Sequence, residues 1–198
     1  MNIFMPPRIA RLPKDKRGYP IPWNALRGVD DTPFFTVNDQ GKHMHALREK
    51  LCPICGEKLG KWMWFVGGIQ SAFDPHGAYY DLPGHHECES FALAVCPYLS
   101  APNYLKRIDV ADPSKVPEDV ALFNITMIPE RPAIFVSVAS NGLDIVALNN
   151  DSLTPVIRPR KPYLGIEYWL HGKEISEKEA LPILRKKLGA DFHIPAIG

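Results

Sequence analysis

Residues 52–56 read Cys-Pro-Ile-Cys-Gly, and residues 85–88 read His-His-Glu-Cys. Between them they supply the three thiols and one imidazole that a tetrahedral zinc site uses, at Cys52, Cys55, His85 and Cys88. The C-x2-C turn, here called the knuckle (residues 52–56), presents two thiolates from one tight loop, and Gly56 allows the backbone to curl behind them. His85 and Cys88 are three apart and would share one face of a helix. These residues predict one structural zinc ion.

The residues alone allow other roles for these cysteines and other sets of ligands. A redox C-x-x-C pair normally opens a helix after a strand, whereas this pair follows a helix-like stretch, and two plain buried thiols remain a third interpretation. His86 could replace His85, but it is two residues from Cys88 and would point elsewhere on a helix. Cys96 lies eight residues after Cys88, about 12 Å along a continuous helix, which is too far for a shared metal ion. We therefore interpret Cys96 as a buried thiol beside Pro97.

The interval between Cys55 and His85 is long enough for a β-hairpin. A knuckle, a hairpin and a helix whose first turn donates the last two ligands is a treble-clef arrangement. The predicted fold class is therefore α+β, with a treble-clef-like zinc core and a small C-terminal lobe of sheet and helix. We divide the chain into a Pro-rich basic arm (1–33), a zinc-binding module (34–105) and a C-terminal α+β lobe packed on it (106–198), because residues 101–130 are irregular and carry four prolines.

Composition limits the function classes. The chain has 198 residues, 45% of them hydrophobic and 23% charged, which is enough for a packed core. The net charge of +1 provides no bulk attraction to nucleic acid. No run approaches the length of a membrane span, and the first residues do not read as a signal peptide. A metal-binding set of cysteines fits a reducing compartment, so we expect a cytoplasmic protein.

Periodicity and turn signals predict the remaining elements. Helix 38–51 carries His43 and His45, which we expect to face solvent. A hairpin signal at 140–142 predicts that strands 133–139 and 143–148 pair with each other. Ser176 and Glu179 form a capping box at the start of the last helix. We also predict strands at 33–37, 61–66 and 163–170, a continuation of the sheet at 69–73, and a helix at 85–96. The segment 163–170 also fits a helical turn.

Five motifs occur together in a recognisable order: Arg17-Gly18-Tyr19-Pro20-Ile21-Pro22-Trp23, the knuckle followed by Glu57-x-Leu59-Gly60, Phe65-Val66-x-Gly68, His85-x-x-Cys88, and Cys96-Pro97-Tyr98-Leu99. In this order the chain resembles a group of uncharacterised bacterial and bacteriophage zinc-binding proteins over residues 8–105. The resemblance implies a zinc-binding module with His85, not His86, as the ligand, and it implies no activity. The chain departs from the group at Trp62, at Trp64 and in the loop 76–81.

A fourth protein ligand favours a structural over a catalytic metal, and no nucleophile or phosphate-loop motif is present, so we assign no catalytic residue. The expected role is a non-enzymatic binding protein that acts through protein contacts. If it is phage-encoded, an inhibitor or modulator of a host defence system is the corresponding hypothesis. A nucleic-acid-binding zinc protein and an HNH-like nuclease are the alternatives. The candidate binding residues are aromatic, or titratable and close to the zinc motif: Tyr19, Trp23, Trp62, Trp64, His76, Tyr79, Tyr80, Asp81 and His86.

Overall fold

A computed structural model describes residues 4–101, 132–149 and 154–198. The protein is α+β, and all of its paired strands are antiparallel. The helices are α1 (Pro7–Ala10), α2 (Gln40–Glu49), α3 (Ile69–Phe73), α4 (His86–Val95), α5 (Pro97–Ser100) and α6 (Glu177–Leu188). The strands are β1 (Ala25–Arg27), β2 (Pro33–Asn38), β3 (Met63–Gly67), β4 (Phe135–Ser140), β5 (Leu143–Asn149), β6 (Thr154–Pro159), β7 (Gly165–Leu170) and β8 (Lys173–Ile175).

The central element is a four-stranded sheet in the order β3-β4-β7-β8. Phe65 of β3 lies opposite Val138 of β4, which in turn lies opposite Ile166 of β7. Strand β3 belongs to the predicted zinc module, and the other three strands belong to the predicted C-terminal lobe. The two parts therefore share one sheet, while the predicted boundary at 105–106 falls outside the described residues.

One face of this sheet covers the main core. Alternate residues along the strands point to the same side, so Phe65, Val136, Val138 and Tyr168 share this face, and all four are buried. Helices α3 and α6 pack on it through their own buried side chains, which are Ile69, Ala72, Ala180 and Leu184.

Helices α4 and α5 cover the opposite face of the sheet. Leu93 of α4 packs there against Phe135 and Trp169 of the sheet, and Tyr98 of α5 joins the same cluster. Because the N-cap residue of α4 is His85 and its first turn carries Cys88, this packing connects the candidate metal centre directly to the sheet.

The predicted hairpin between β4 and β5 is wrong. Strand β5 pairs with β6 in a separate two-stranded ribbon, and β4 pairs with β3 and β7. Both edges of β4 are occupied by distant parts of the chain, so no edge remains for β5. Instead, the Ser140 hydroxyl at the end of β4 donates hydrogen bonds to the carbonyl oxygens of Gly142 and Arg160.

The expected continuation of the sheet at 69–73 is also wrong, because these residues form helix α3. Strand β3 ends at Gly67, where a Cβ atom would lie 2.7 Å from the Tyr79 ring. The close approach of this ring requires glycine, and the chain turns into α3 immediately afterwards.

The predicted capping box of the last helix is confirmed, and a second helix is capped in a similar way. Asp39 caps α2 by accepting a hydrogen bond from the Lys42 amide, and Ser176 with Glu179 forms the capping box of α6. The expectation for His43 is wrong, since this residue of α2 is only 4% exposed. Within the described parts of the chain, no helix combines the length and apolar character that crossing a bilayer requires.

Candidate metal centre

Cys52, Cys55, His85 and Cys88 converge in the structure. One ligand atom from each residue, three sulfurs and an imidazole nitrogen, lies within 4.8 Å of every other. Neighbouring ligands of a tetrahedral zinc ion are about 4 Å apart, given bond lengths of about 2.0–2.3 Å. The four side chains can therefore hold a metal ion with little rearrangement, and they are the four that the sequence motif predicts.

The knuckle is held by a short backbone network. Leu51 and Lys58 form a β-bridge, the Cys52 amide donates to the Glu57 carbonyl at 2.8 Å, and the Gly56 amide donates to the Cys52 carbonyl at 2.8 Å. Gly56 has a φ of +76°, and a Cβ atom there would lie 2.7 Å from the Trp23 ring. Both the left-handed backbone and the aromatic cover require glycine at this position.

His85 is oriented by both of its ring nitrogens. Nδ1 faces the sulfurs, 3.4 Å from Cys55 Sγ and 4.0 Å from Cys88 Sγ, and Nε2 lies 3.0 Å from the Lys58 carbonyl oxygen. A proton on Nε2 that is donated to this carbonyl leaves the Nδ1 lone pair directed at the metal position. Metal-ligating histidines typically have such an outer partner, which fixes the ring and its tautomer.

The three thiols form a coupled set. Hydrogen bonding from Cys52 is the main effect that lowers the pKa of Cys55, and the Glu57 amide acts in the same direction. Hydrogen bonding to Cys55 raises the pKa of Cys52, and hydrogen bonding to Cys52 raises the pKa of Cys88. Without a cation, one thiolate would be stabilised at the expense of the other two thiols. A divalent metal ion removes this conflict, because thiols bind it as thiolates.

The N-terminal arm covers the centre. Ile9 of α1 is 1% exposed and packs with Cys52, Cys55 and Cys88. Arg8 forms ion pairs with Glu57 at 2.8 Å and with Glu87 at 2.7 Å, and its Nη1 is 3.1 Å from His85 Nε2. Arg11 also pairs with Glu57. A Cys3His set would carry one net negative charge with a divalent cation bound, and the Arg8 guanidinium is close enough to Cys55 for their charges to interact, which helps to raise the pKa of Arg8. This role of the arm was not predicted from the sequence, although the arm's basic residues were its signal.

Neither alternative ligand joins the metal centre. His86 Nε2 lies 2.6 Å from Glu167 Oε1 of β7, and the His86 ring packs against Trp64 in a tilted arrangement, with 4.3 Å between the ring centroids. Cys96 is the C-cap residue of α4, is half-buried, and lies outside the group of converging side chains. The helix carries it away from Cys88, as the rise per residue predicts.

The remaining candidate residues are dispersed. Tyr19, Trp62, His76, Tyr80 and Asp81 are exposed, whereas Trp23 is half-buried against the knuckle and Trp64 is half-buried beneath His86. Tyr79 is a core residue, 3% exposed and packed against Phe65, so we remove it from any partner-binding surface. Asp81 accepts a long hydrogen bond of 3.5 Å from Asn38. The loop 76–81 is therefore not one titratable cluster.

Two ionisable residues, Glu89 and His43, are buried in the structure, and the sequence did not predict their burial. Glu89 of α4 is 8% exposed, and its burial raises its pKa well above the usual range, with Asp81 and Cys55 contributing in the same direction. Burial lowers the pKa of His43 to about 4, and neither of its ring nitrogens has a hydrogen-bond partner within the described structure. Sequence spacing assigns both residues to helices but cannot say what packs against them.

Comparisons of the chain with protein family models, with curated proteins and with solved structures give no match.

Proposed function

We propose that the converging side chains hold one structural Zn²⁺ in a treble-clef-like module. The donor set supports zinc, since three thiolates and one imidazole are typical of its structural sites. The knuckle, helix α4 and the paired backbone of Trp64 and Gly84, which exchange hydrogen bonds of 3.0 and 2.9 Å, supply the parts of such a module. Between Cys55 and His85 the structure has strand β3, helix α3 and this isolated bridge where the sequence predicted a hairpin. The zinc ion would join the knuckle to the first turn of α4.

This metal would leave no coordination position for a substrate. Four protein ligands complete a tetrahedron, and Cys52 and Cys88 are both fully buried. The observation that carries the proposal is this closed set of four ligand atoms within 4.8 Å of one another. It supports a role in stability, so that any function would lie on the surface that the zinc-stabilised fold presents.

We further propose that the chain is a non-enzymatic, cytoplasmic protein that acts through protein contacts. Several large aromatic side chains are exposed: Tyr19 (40%), Phe35 (41%), Trp62 (53%) and Tyr80 (39%). Aromatic residues are enriched among those that dominate binding energy at protein interfaces. The resemblance to bacterial and bacteriophage proteins extends the proposal to a phage-encoded modulator of a host system, such as a defence complex.

The basic composition of the arm suggests nucleic-acid binding, but the contacts of its arginines give this function little support. Arg8 and Arg11 are ion-paired with glutamates of the same chain, and Arg17 is paired with Asp15 through its Nε. An arm with two arginines fully engaged and a third partly engaged has fewer cations to neutralise phosphates, and phosphate neutralisation supplies most of non-specific binding. An HNH-like nuclease would need a second metal site with an activating histidine.

Affinity capture from a bacterial host lysate tests the proposal. The zinc-loaded chain is the bait, and Trp62→Ala and Tyr80→Ala remove exposed aromatics that the core does not need. Ile197→Ala, which alters a side chain that is 56% exposed, is the matched control. We expect a saturable partner that the aromatic variants lose and the control retains. Metal-dependent cleavage of DNA or RNA, or a salt-sensitive gel shift without any protein partner, would contradict the proposal.

A further inference from the structure

Arg17 lies between two exposed aromatic rings from different segments. Its guanidinium carbon is 5.2 Å from the centroid of Tyr19 in the arm and 5.5 Å from that of Phe35 in β2. Both distances are in the range of cation–π attraction. The two side chains are similarly exposed, Tyr19 at 40% and Phe35 at 41%. We call these three side chains the Arg17 platform.

The backbone of the arm holds the platform in place. Asp15, whose side chain is only 7% exposed, accepts hydrogen bonds from Arg17 Nε at 2.7 Å and from the amides of Arg17 and Tyr19 at 2.9 Å each. Gly18 occupies the left-handed region at a φ of +85°, and a bridge between Lys14 and Pro20 closes the turn. Three hydrogen bonds to one carboxylate fix the turn before any partner arrives, which reduces the entropy lost on binding.

The platform retains capacity for a ligand. The Arg17 side chain is 58% exposed, and the contact with Asp15 uses only its Nε. A guanidinium has five N–H donors, and its terminal nitrogens can bind a carboxylate in a bidentate manner. The flanking rings offer apolar surface on either side. Arginine and tyrosine are also the residue types that most often dominate protein interfaces.

The local charge selects the kind of partner. Arg17 and Asp15 offset each other, while Lys14 and Lys16 on the same turn are exposed. The turn is therefore net positive. The positive charge does not continue along the arm, because Arg8 and Arg11 are paired with glutamates of the zinc module. A short positive spot flanked by aromatic rings fits a compact acidic and apolar ligand better than a continuous phosphate backbone.

We propose that the Arg17 platform is a partner-binding site of this chain, in addition to the exposed aromatics Trp62 and Tyr80, and that it recognises an acidic segment of a protein in which a carboxylate lies next to apolar side chains. This inference rests on the proposed function in protein binding and adds a specific site to it. The carboxylate would contact the terminal nitrogens of Arg17, and the apolar neighbours would pack on Tyr19 and Phe35.

The test uses the full-length, zinc-loaded chain and three fluorescent probes. These are a short synthetic peptide that alternates Asp and Glu with Leu and Phe, the same peptide with Lys in place of the acids, and an oligothymidylate. Fluorescence anisotropy measures affinity, and amide chemical shifts locate the binding surface. We expect the acidic peptide alone to bind, with amide shifts around residues 15–19 and 33–37 and weaker binding at higher salt.

Two variants and a matched control give the test its specificity. Arg17→Gln and Phe35→Ala should each weaken the acidic peptide about tenfold or more. Phe35→Ala leaves the Asp15 turn intact, so it controls for misfolding of the arm in Arg17→Gln. Arg160→Gln is the control, because Arg160 is about as exposed as Arg17 (59%), is ion-paired with Asp144, and follows strand β6, outside the platform. This variant should bind as the wild type does.

Three outcomes would overturn the inference. If the acidic peptide binds but neither platform variant weakens it, the surface is wrong while protein binding stands. If a partner captured from lysate survives both platform variants, the same conclusion follows. If the oligothymidylate binds in preference to the peptide and Arg17→Gln abolishes that binding, the platform recognises nucleic acid, and both this inference and the proposed function fail.

Discussion

Arg8 Nη1 lies 2.8 Å from Glu57 Oε2, and this ion pair joins the N-terminal arm to the residue that follows the knuckle. Arg8 also contacts Glu87 in the first turn of α4, so one guanidinium joins the two segments that supply the candidate metal ligands. The Arg8 side chain is 34% exposed, which places the contact at the rim of the centre. The arm is thus a structural part of the metal module.

Replacing Arg8 with Gln should lower the affinity of the candidate metal centre for zinc. The substitution removes the cation beside the thiolates and both contacts to Glu57 and Glu87. Outer partners of metal ligands typically change metal affinity by about 10–100-fold, so we expect a loss of about tenfold in zinc affinity and faster release. Transfer of zinc to a chromophoric chelator measures both quantities. Arg11→Gln is the control, since the ion pair that Arg11 makes within the described residues is with Glu57 and its side chain is 68% exposed; equal effects of the two variants would contradict the special role of Arg8.

Replacing Cys88 with Ser should abolish stoichiometric zinc binding, because Cys88 is fully buried among the ligands. Loss of a structural zinc ligand removes binding energy that contributes directly to folding. Elemental analysis and thermal unfolding measure the result. Cys96→Ser, a matched change at the other end of α4, should keep the metal. A Cys88→Ser protein that retains one zinc ion per chain would show that the ligand set is misassigned.

The two pairs of candidate metal ligands, Cys52 with Cys55 and His85 with Cys88, and the helix caps could be predicted from sequence because each depends on short spacing; the meeting of the two pairs rested on the donor set that zinc prefers. Cys52 and Cys55 must meet in any tight turn, and Ser176 with Glu179 satisfies amides within one helical turn. The pairing of β4 could not be predicted in this way. Its true partners, β3 and β7, lie far along the chain on either side, and their burial outweighs the local turn signal at Ser140–Gly142.

His43 illustrates a second limit of sequence reasoning. Helical periodicity gives its angular position on α2, but the depth of burial depends on what packs on the helix. The imidazole lies in the interior without a hydrogen-bond partner among the described residues, where an exposed histidine was expected.

His43 should make the protein sensitive to acid. Its pKa falls from an ordinary value of 6.5 to about 4 in the folded state, because burial disfavours the charged form. Between these values the unfolded chain binds a proton that the folded chain does not, so stability decreases as pH falls through this window. The expected loss from pH 7 to pH 5 is about 2 kcal/mol.

Urea unfolding of the zinc-saturated wild type and of His43→Leu at both pH values measures this effect. The variant should lose about 2 kcal/mol less than the wild type over the same interval. The difference between the two proteins cancels the acid dependence of zinc binding, which they share. Identical pH profiles would mean that His43 is not buried in its neutral form.

Trp62 and Trp64, two residues apart, should respond differently to substitution by alanine. Trp62 is 53% exposed, and its loss should change stability by less than about 0.5 kcal/mol. Trp64 packs on His86 and has a ring atom 3.2 Å from where a Cβ atom of Gly165 would lie, so its loss should cost about 2–3 kcal/mol. Chemical denaturation compares the two variants. A larger effect of Trp62→Ala would contradict the packing of this strand.

The most direct test of the account is to measure zinc content and stability on the same purified sample. The account predicts one zinc ion per chain by elemental analysis and a large decrease in melting temperature when a strong chelator removes it. Substoichiometric metal, together with a melting temperature that the chelator does not change, would contradict the claim that a metal ion holds the knuckle to helix α4.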